Sequence, residues 1–280
     1  MVPVRVIVPF RDAQAVADAW FASLRSQTVA PAEVIVVDDG SGPGGRAYLG
    51  RLFEAVDSPR VANQHTVWRL ITLPENRGPG PARNAGVAAS VQPYIAFLDA
   101  DDIWVDRKLE QQYGLMRAWP GLDATHTDEI PFLPDGSELG LTARPRRLTL
   151  VTALSNHVMI TPSIMMKRAT FERLGGFDPA FRCTQDWELQ IRMARAGCEV
   201  QYLPDVLVRV RREGHGSHSA NWRCYLSGHL GVVWKHRAEY RSRIGWRGWI
   251  RRVFFEVYRA GVRRGGALGF LLQVPHRMGL

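Results

Sequence analysis

Near-continuous apolar runs alternate with helical periodicity through the first hundred residues. "VRVIVPF" (4–10), "EVIVVDDG" (33–40), "WRLITL" (68–73) and "YIAFLDADD" (94–102) are rich in β-branched residues and almost uninterrupted. Strands of a parallel sheet covered on both faces read this way. Their starts lie about 30 residues apart or less, the length of a βαβ unit. Between the first two, "AVADAWFASLRSQ" has apolar residues at helical spacing. Between the third and fourth, "GPGPARNAGVAAS" is a Gly/Pro turn feeding a small-residue helix. The pattern predicts an α/β sheet, on which ligands bind at the carboxyl ends of the strands.

Past residue 103 the pattern is less regular. "VDRKLEQQYGLMRAW" predicts a helix, "PGLDATHTDEIPFLPDGSELG" a loop or hairpin, and "HVMITPSIMMKR" (157–168) a strand pair. "ATFERLGGF" predicts a short helix closed by glycine. "WELQIRMARAG" predicts a helix with Leu189, Met193 and Ala196 on one face and Gly197 as its stop, followed by a strand at "CEVQYLP".

The sheet prediction changes how the aspartates read. Asp38 and Asp39 end the second strand, and Asp99, Asp101 and Asp102 end the fourth, so both groups face one crevice. Clustered carboxylates repel one another unless a cation joins them. Such an oxygen-rich set suits Mg²⁺ or Mn²⁺, which in turn holds phosphate oxygens. Asp is also a favoured turn residue. "DDGS" fits a turn equally well, whereas "DADD" after a buried strand favours the cation reading.

"GPGPARNAG" (78–86) is not a dinucleotide fingerprint. It follows the third strand rather than the first, Arg83 replaces the third glycine, and Pro79 and Pro81 lack donors for a pyrophosphate. A plain Gly/Pro turn leaves Arg83 unexplained, because a cation near the start of a helix opposes the dipole. It serves a phosphate or an acidic neighbour. Asp186 lies in the first turn of its helix, where the dipole favours an ionised carboxylate. The same placement suits a general base.

In order, "VRVIVPFRD", "EVIVVDDGS", "ENRGPGPARNAG", "YIAFLDADD" and "GGFDPAF…QDWELQIRMARAG" resemble a family 2 glycosyltransferase with the GT-A fold over roughly residues 3–220. The resemblance implies a nucleotide-sugar donor, a divalent metal and inversion at the anomeric carbon. It implies that Pro9, Phe10, Arg11 and Asp12 line the nucleotide pocket and that Asp39 bonds the base. Arg83 would contact the nucleotide, Asp99 the ribose or sugar and Asp101 the metal, with Asp102 and His215 as further metal candidates. Asp186 matches the catalytic base. Single displacement with one base fits this set, by analogy with inverting glycosidases. Three positions depart from the family pattern. Arg11-Asp12 stand where Tyr-Asn is frequent, Gln185 stands where Glu usually precedes the base, and "RREGHGSHS" replaces Arg-x-His-Pro-Gly-Ser. That last change shifts His215 by one position and leaves Arg212 as another diphosphate candidate.

Composition adds limits. The chain has 280 residues, 46% hydrophobic and 22% charged, as in ordinary globular proteins. No apolar stretch nears the ~18 residues of a membrane span, and no signal peptide is expected at "MVPVRVIVPF". Cys183, Cys198 and Cys224 are odd in number without metal spacing, which predicts reduced thiols in a cytoplasmic protein. The net charge is +9, yet residues 205–280 alone hold fourteen Arg and one Lys against four acids, +11. The basic character is C-terminal.

Within 241–264, "RSRIGWRGWIRRVFFEVYRAGVRR", Trp246, Trp249, Ile250, Val253, Phe254 and Val257 recur at helical spacing among arginines. This fits an amphipathic helix on an anionic membrane surface, at the inner face of a membrane if the protein is cytoplasmic, or a helix packed on the rest of the chain. No nucleic-acid module accompanies the charge, so no nucleic-acid partner is expected. The expected division is a GT-A catalytic domain at 1–220 and a basic helical extension at 221–280, acting on an unidentified acceptor hydroxyl. Two alternatives come from other classes. One is a nucleotidyltransferase, which would carry a Gly-rich loop after strand one where "PFRDAQAV" stands. The other is a non-catalytic nucleotide-sugar-binding scaffold.

Overall fold

The computed structural model describes residues 1–56, 66–89, 91–212 and 222–263. They fall into two compact units, one drawn from residues 1–180 with 186–212 and one drawn from residues 181–185 with 222–263.

In the first unit, β1 (Val2–Phe10), β2 (Pro31–Asp39), β3 (Val67–Leu73) and β4 (Tyr94–Phe97) run parallel in the order β3-β2-β1-β4. Their connections carry α1 (Ala17–Arg25), α2 (Pro43–Val56) and α3 (Pro79–Ala88). Side-chain alternation explains the unbroken apolar runs. Val4, Val6, Val8 and Phe10 pack with Trp20 and Leu24 of α1 and with Leu49 and Leu52 of α2. Ile7, Ile35 and Val37 face the other layer, with Ala82 and Val87 of α3. A strand covered on both faces has no polar side. Arg5 is the exception. It is fully buried, pairs with Glu33 at 2.9 Å, and donates to the Gly86 and Val87 carbonyls at 2.7 Å each. Those carbonyls are the unsatisfied acceptors of the end of α3.

The sheet continues from β4 as β7-β6-β8-β5, giving eight strands. The elements are β5 (Ile103–Trp104), α4 (Lys108–Ala118), β6 (Ala124–Phe132), α5 (Leu150–Ser155), β7 (Met165–Lys167), α6 (Arg168–Arg173), α7 (Gln185–Arg195) and β8 (Val200–Arg211). Pairing is antiparallel at β4–β7, β7–β6 and β8–β5 and parallel at β6–β8. The fold is therefore the expected α/β class, with a mixed sheet.

Two sequence expectations fail in this half. The segment predicted as loop or hairpin contains the nine-residue strand β6. Thr125, His126, Thr127 and Glu129 are buried on it, and an apolar pattern does not reveal a strand whose buried side chains are polar. Their partners come from elsewhere: Gln112 Nε2 donates to Thr125 Oγ1 at 3.1 Å, and Arg144 Nε to Glu129 Oε1 at 2.5 Å. "HVMITPSIMMKR" supplies one strand, β7, rather than two, because its first part forms a 3-10 turn at Thr161–Ser163 with Pro162 near its start.

The second unit holds α8 (Trp222–Lys235) and α9 (Arg237–Arg263), the latter broken at Gly245, whose φ is 74°. On α8, Tyr225 donates to buried Glu256 of α9 at 2.9 Å, and Glu256 pairs with Arg252 at 2.5 Å. Trp249 Nε1 donates to the Val233 carbonyl at 3.4 Å. The apolar stripe of α9 is thus divided. Trp249, Glu256 and Ala260 turn toward α8, while Trp246 (55%), Phe254 (70%) and Val257 (45%) are exposed.

Cys183 and Cys224 form a disulfide, with Cα atoms 6.1 Å apart and a sequence separation of 41. Only Cys198 is a free thiol, and it is buried. This corrects the expectation of reduced thiols and removes the cysteine argument for a cytoplasmic location. The spacing gave no sign of the pair, because it forms only where the segment before α7 meets α8. No helix among the described residues is long and apolar enough to cross a membrane.

Candidate active site

The ends of β1 and β2 are tied together. Phe10 is buried with its ring stacked on Tyr48, centroids 5.7 Å apart. Pro9 pairs with Val37 in the sheet, and Arg11 is exposed. Asp12 has φ 48°. Its Oδ1 accepts from Gly42 N–H at 2.9 Å and its own N–H donates to Ser41 Oγ at 3.2 Å. Asp38 Oδ1 accepts from Ser41 N–H at 2.8 Å, a turn contact. The Asp39 carboxylate reaches further along the chain, accepting from Arg77 N–H at 2.7 Å and Gly78 N–H at 2.8 Å. It thereby holds the loop that opens α3. Gly40 is needed there, since its φ is 69° and a Cβ would lie 2.7 Å from Asn76 N.

Arg83 and the "DADD" acids come together next. Arg83 is buried and ion-paired with Asp99, and its guanidinium lies 5.5 Å from the Phe177 ring centre. The acidic neighbour anticipated for Arg83 is therefore Asp99. Asp102 N–H donates to the Asp99 carbonyl at 3.1 Å, which turns the chain. Asp102 is buried, its Oδ1 accepts from Arg211 N–H at 3.0 Å, and Asp101 is exposed. Burial, then the charges of Asp101 and Asp99, push the Asp102 carboxyl well above the usual carboxylate range. Arg212 acts the other way on it. His215 lies outside the described residues.

Asp186 lies in the first turn of α7, its side chain 21% exposed. Its Oδ1 accepts from Trp187 N–H at 2.8 Å, and its Oδ2 lies 3.9 Å from His157 Nδ1. Burial raises the Asp186 carboxyl, opposed by the Trp187 N–H and by the charges of Arg144 and Arg83. The His157 ring stacks on Trp187, centroids 5.2 Å apart at 25°. Arg144, paired with Glu129, donates from Nη1 to the His157 carbonyl at 3.3 Å. Sequence reading did not single out His157, Arg144, Glu129 or Phe177. No spacing rule links residue 157 to 186, and only the fold brings them together.

The family model described as "Glycosyl transferase family 2" matches residues 5–175. The chain belongs to glycosyltransferase family 2. Among family relatives, the putative teichuronic acid biosynthesis glycosyltransferase TuaG of Bacillus subtilis is 29% identical over 222 residues, 79% of this chain and 83% of TuaG. A glycosyltransferase of Haemophilus influenzae is 25% identical, and this chain spans 64% of its length, under two thirds. In fold, the chain is similar to Staphylococcus aureus TarS 1–349 in complex with UDP-GlcNAc, with a TM-score of 0.68, 16% identity and coverage of 98% of this chain and 76% of that one.

The acidic cluster bears on the metal question. Among the described residues, no three His, Cys, Asp or Glu side chains converge on one point. The donor chemistry still fits Mg²⁺ or Mn²⁺. Asp101 is exposed, and Asp102 is a buried carboxyl beside two other acids, a group that a cation would relieve. The fit is to an ion shared with a ligand's oxygens rather than one caged by protein.

Proposed function

We propose that this chain is an inverting glycosyltransferase that moves a sugar from a nucleoside-diphosphate sugar to an acceptor hydroxyl, with Asp186 as general base. The observation that carries the reading is the position of Arg83. It pairs with Asp99 on the donor side, and its charge also acts on Asp186. One guanidinium thus links the acids expected at the donor with the acid expected at the acceptor.

Pro9, Phe10, Arg11 and Asp12 line the nucleotide pocket. Asp39 orders the Arg77–Gly78 loop against the base, and Asp99 meets the ribose or sugar. Arg83 supplies a fixed cation near the diphosphate, and its fork suits phosphate oxygens. Asp101 and Asp102 would hold a divalent metal, with His215 as a third candidate; when bound, that ion neutralises the charge that builds on the leaving diphosphate. Asp186 takes the proton of the acceptor hydroxyl as its oxygen attacks the anomeric carbon, and the bond to the diphosphate oxygen breaks on the opposite face. No second carboxylate is needed as nucleophile in this single displacement.

Ligands bound in similar structures guide the first donors to try. TarS was solved with UDP-GlcNAc, and a Pyrobaculum calidifontis mannosyltransferase (TM-score 0.64, 18% identity, 96% of this chain and 78% of that one) with GDP-Man and Mn²⁺. The exposed Trp246, Phe254 and Val257, among the arginines of α9, support docking of the second unit on an anionic membrane surface.

The test is a thermal-shift panel of UDP, GDP, dTDP, CDP and ADP, with and without Mn²⁺, followed by transfer assays. Ligand binding to the folded state raises the melting temperature. The expected result is a Mn²⁺-dependent shift with one nucleotide, retained in Asp186→Asn while transfer is lost. No shift with any nucleotide would put the scaffold reading ahead.

A further inference from the structure

Three side chains of α7 face the segment that follows α5. Asp186 Oδ2 looks toward His157 Nδ1 at 3.9 Å, and Trp187 stacks under the His157 ring. Trp187 Nε1 also donates to the Ala153 carbonyl at 2.6 Å. One turn further along, buried Gln190 accepts from Val158 N–H at 2.8 Å and Met159 N–H at 3.2 Å, and donates to the Met159 carbonyl at 2.6 Å. From the other side, Arg144 donates to the His157 carbonyl at 3.3 Å. The His157 ring is thus stacked on Trp187, and its backbone is held between Gln190 of α7 and Arg144. A surface histidine would not need such support.

We infer that His157 is a positioning residue for Asp186, donating from Nδ1–H to Oδ2 and so fixing the carboxylate that receives the acceptor's proton. This rests on Asp186 being the base. The two oxygens of Asp186 then have separate partners. Oδ1 is held by the Trp187 N–H. Oδ2 is held by His157 along one lone pair, which leaves its other lone pair for an incoming hydroxyl. The present 3.9 Å is longer than a hydrogen bond, and catalytic contacts of this kind tighten when the ligand arrives. The charged groups around the pair are Arg144 with Glu129 on the β6 side and Arg83 on α3.

The geometry separates stacking from donation, so two variants suffice. His157→Phe keeps a ring for Trp187 but has no donor. His157→Asn places an amide N–H close to where Nδ1 was. Rates are read as nucleoside diphosphate released from UDP-GlcNAc or GDP-mannose with Mn²⁺. The expected result is a fall in kcat of about 100-fold for His157→Phe, the scale of a misplaced catalytic group, with donor KM changed less than about twofold. His157→Asn recovers most of the loss. A His157→Phe enzyme with full kcat and a normal melting curve overturns the inference.

A second measurement does not depend on turnover. Nitrogen-15 NMR of the imidazole, assigned by the signal missing in His157→Asn, reports which ring nitrogen carries the proton. The inference expects Nδ1–H in the wild type and a changed Nδ1/Nε2 distribution in Asp186→Asn. Nε2–H in the wild type, unaltered by Asp186→Asn, overturns it. If Asp186→Asn itself keeps full transfer, the assignment of the base fails instead, and the two failures are distinct.

Discussion

Arg83 is ion-paired with Asp99 across the gap between α3 and the end of β4, with its guanidinium also against Phe177. The Asp99 side chain is 29% exposed, so water shares in its solvation. Removing the cation in Arg83→Met should therefore cost between the ~1 kcal/mol of an exposed pair and the ~3–5 kcal/mol of a fully buried one. Arg83→Lys keeps the charge and loses the planar fork. Its fold should hold within about 1 kcal/mol while donor KM rises at least about tenfold. Calorimetric titration of nucleoside diphosphate into both variants measures this, and unchanged affinity in Arg83→Lys would remove Arg83 from the donor site.

Burial raises the Asp186 carboxyl above the ordinary aspartate value. The base must be ionised, so transfer should rise with pH through this raised pKa, with an acid limb above the ordinary aspartate range. The sign for stability is opposite. A raised folded-state pKa means that the buried charge weakens the fold once pH exceeds it. Asp186→Asn should therefore melt at or above the wild type at pH 7 while being inactive. A kcat–pH profile beside melting curves of the two proteins checks both halves.

The Cys183–Cys224 bond is backed by a close approach. A Cβ on Gly228 would lie 2.9 Å from Thr184 Oγ1 and 3.0 Å from the Cys183 carbonyl, and Thr184 has a left-handed φ of 66°. Cross-linking 41 residues apart contributes on the order of 4 kcal/mol in the chain-entropy estimate. Thiol reductant should lower the melting temperature of the wild type and leave Cys224→Ser, already lower, where it is. Gly228→Ala should weaken the same contact without touching the sulfurs.

On α9, the exposed apolar side chains are candidates for a bilayer interface. Trp246→Ser with Phe254→Ser should abolish co-sedimentation with phosphatidylglycerol vesicles and leave nucleotide binding unchanged. Wild-type binding should weaken with salt and be absent on pure phosphatidylcholine. Equal recovery of wild type and variant with the vesicles would discard the membrane surface.

The parallel half of the sheet was legible because both faces of each strand are apolar, so β1, β2 and β3 fall within two residues of their predicted limits. "YIAFLDADD" was overread. Its strand stops at Phe97, and Asp99 to Asp102 form a turn. β6 was missed for the opposite reason, since Thr125 and Glu129 are buried through hydrogen bonding rather than hydrophobicity. The acids and Arg83 could be picked out from local sequence, each by its place at a strand end or helix start. His157 and Arg144 could not, because what selects them is a contact 29 residues away for His157, and 13 and 15 residues away for Arg144. The α9 stripe was visible as a pattern. Its division between α8 and solvent follows from the buried Tyr225–Glu256 contact, which sequence alone does not assign.

The disulfide also closes a covalent ring from Cys183 to Cys224 that contains Asp186, all of β8 and the free Cys198. A protease that nicks the chain anywhere inside this ring leaves both fragments on one molecule until thiol exchange opens it. Nicked protein would run at full mass on a non-reducing gel and as two bands after reductant. A preparation judged intact under non-reducing conditions alone could therefore already be cut beside its proposed base.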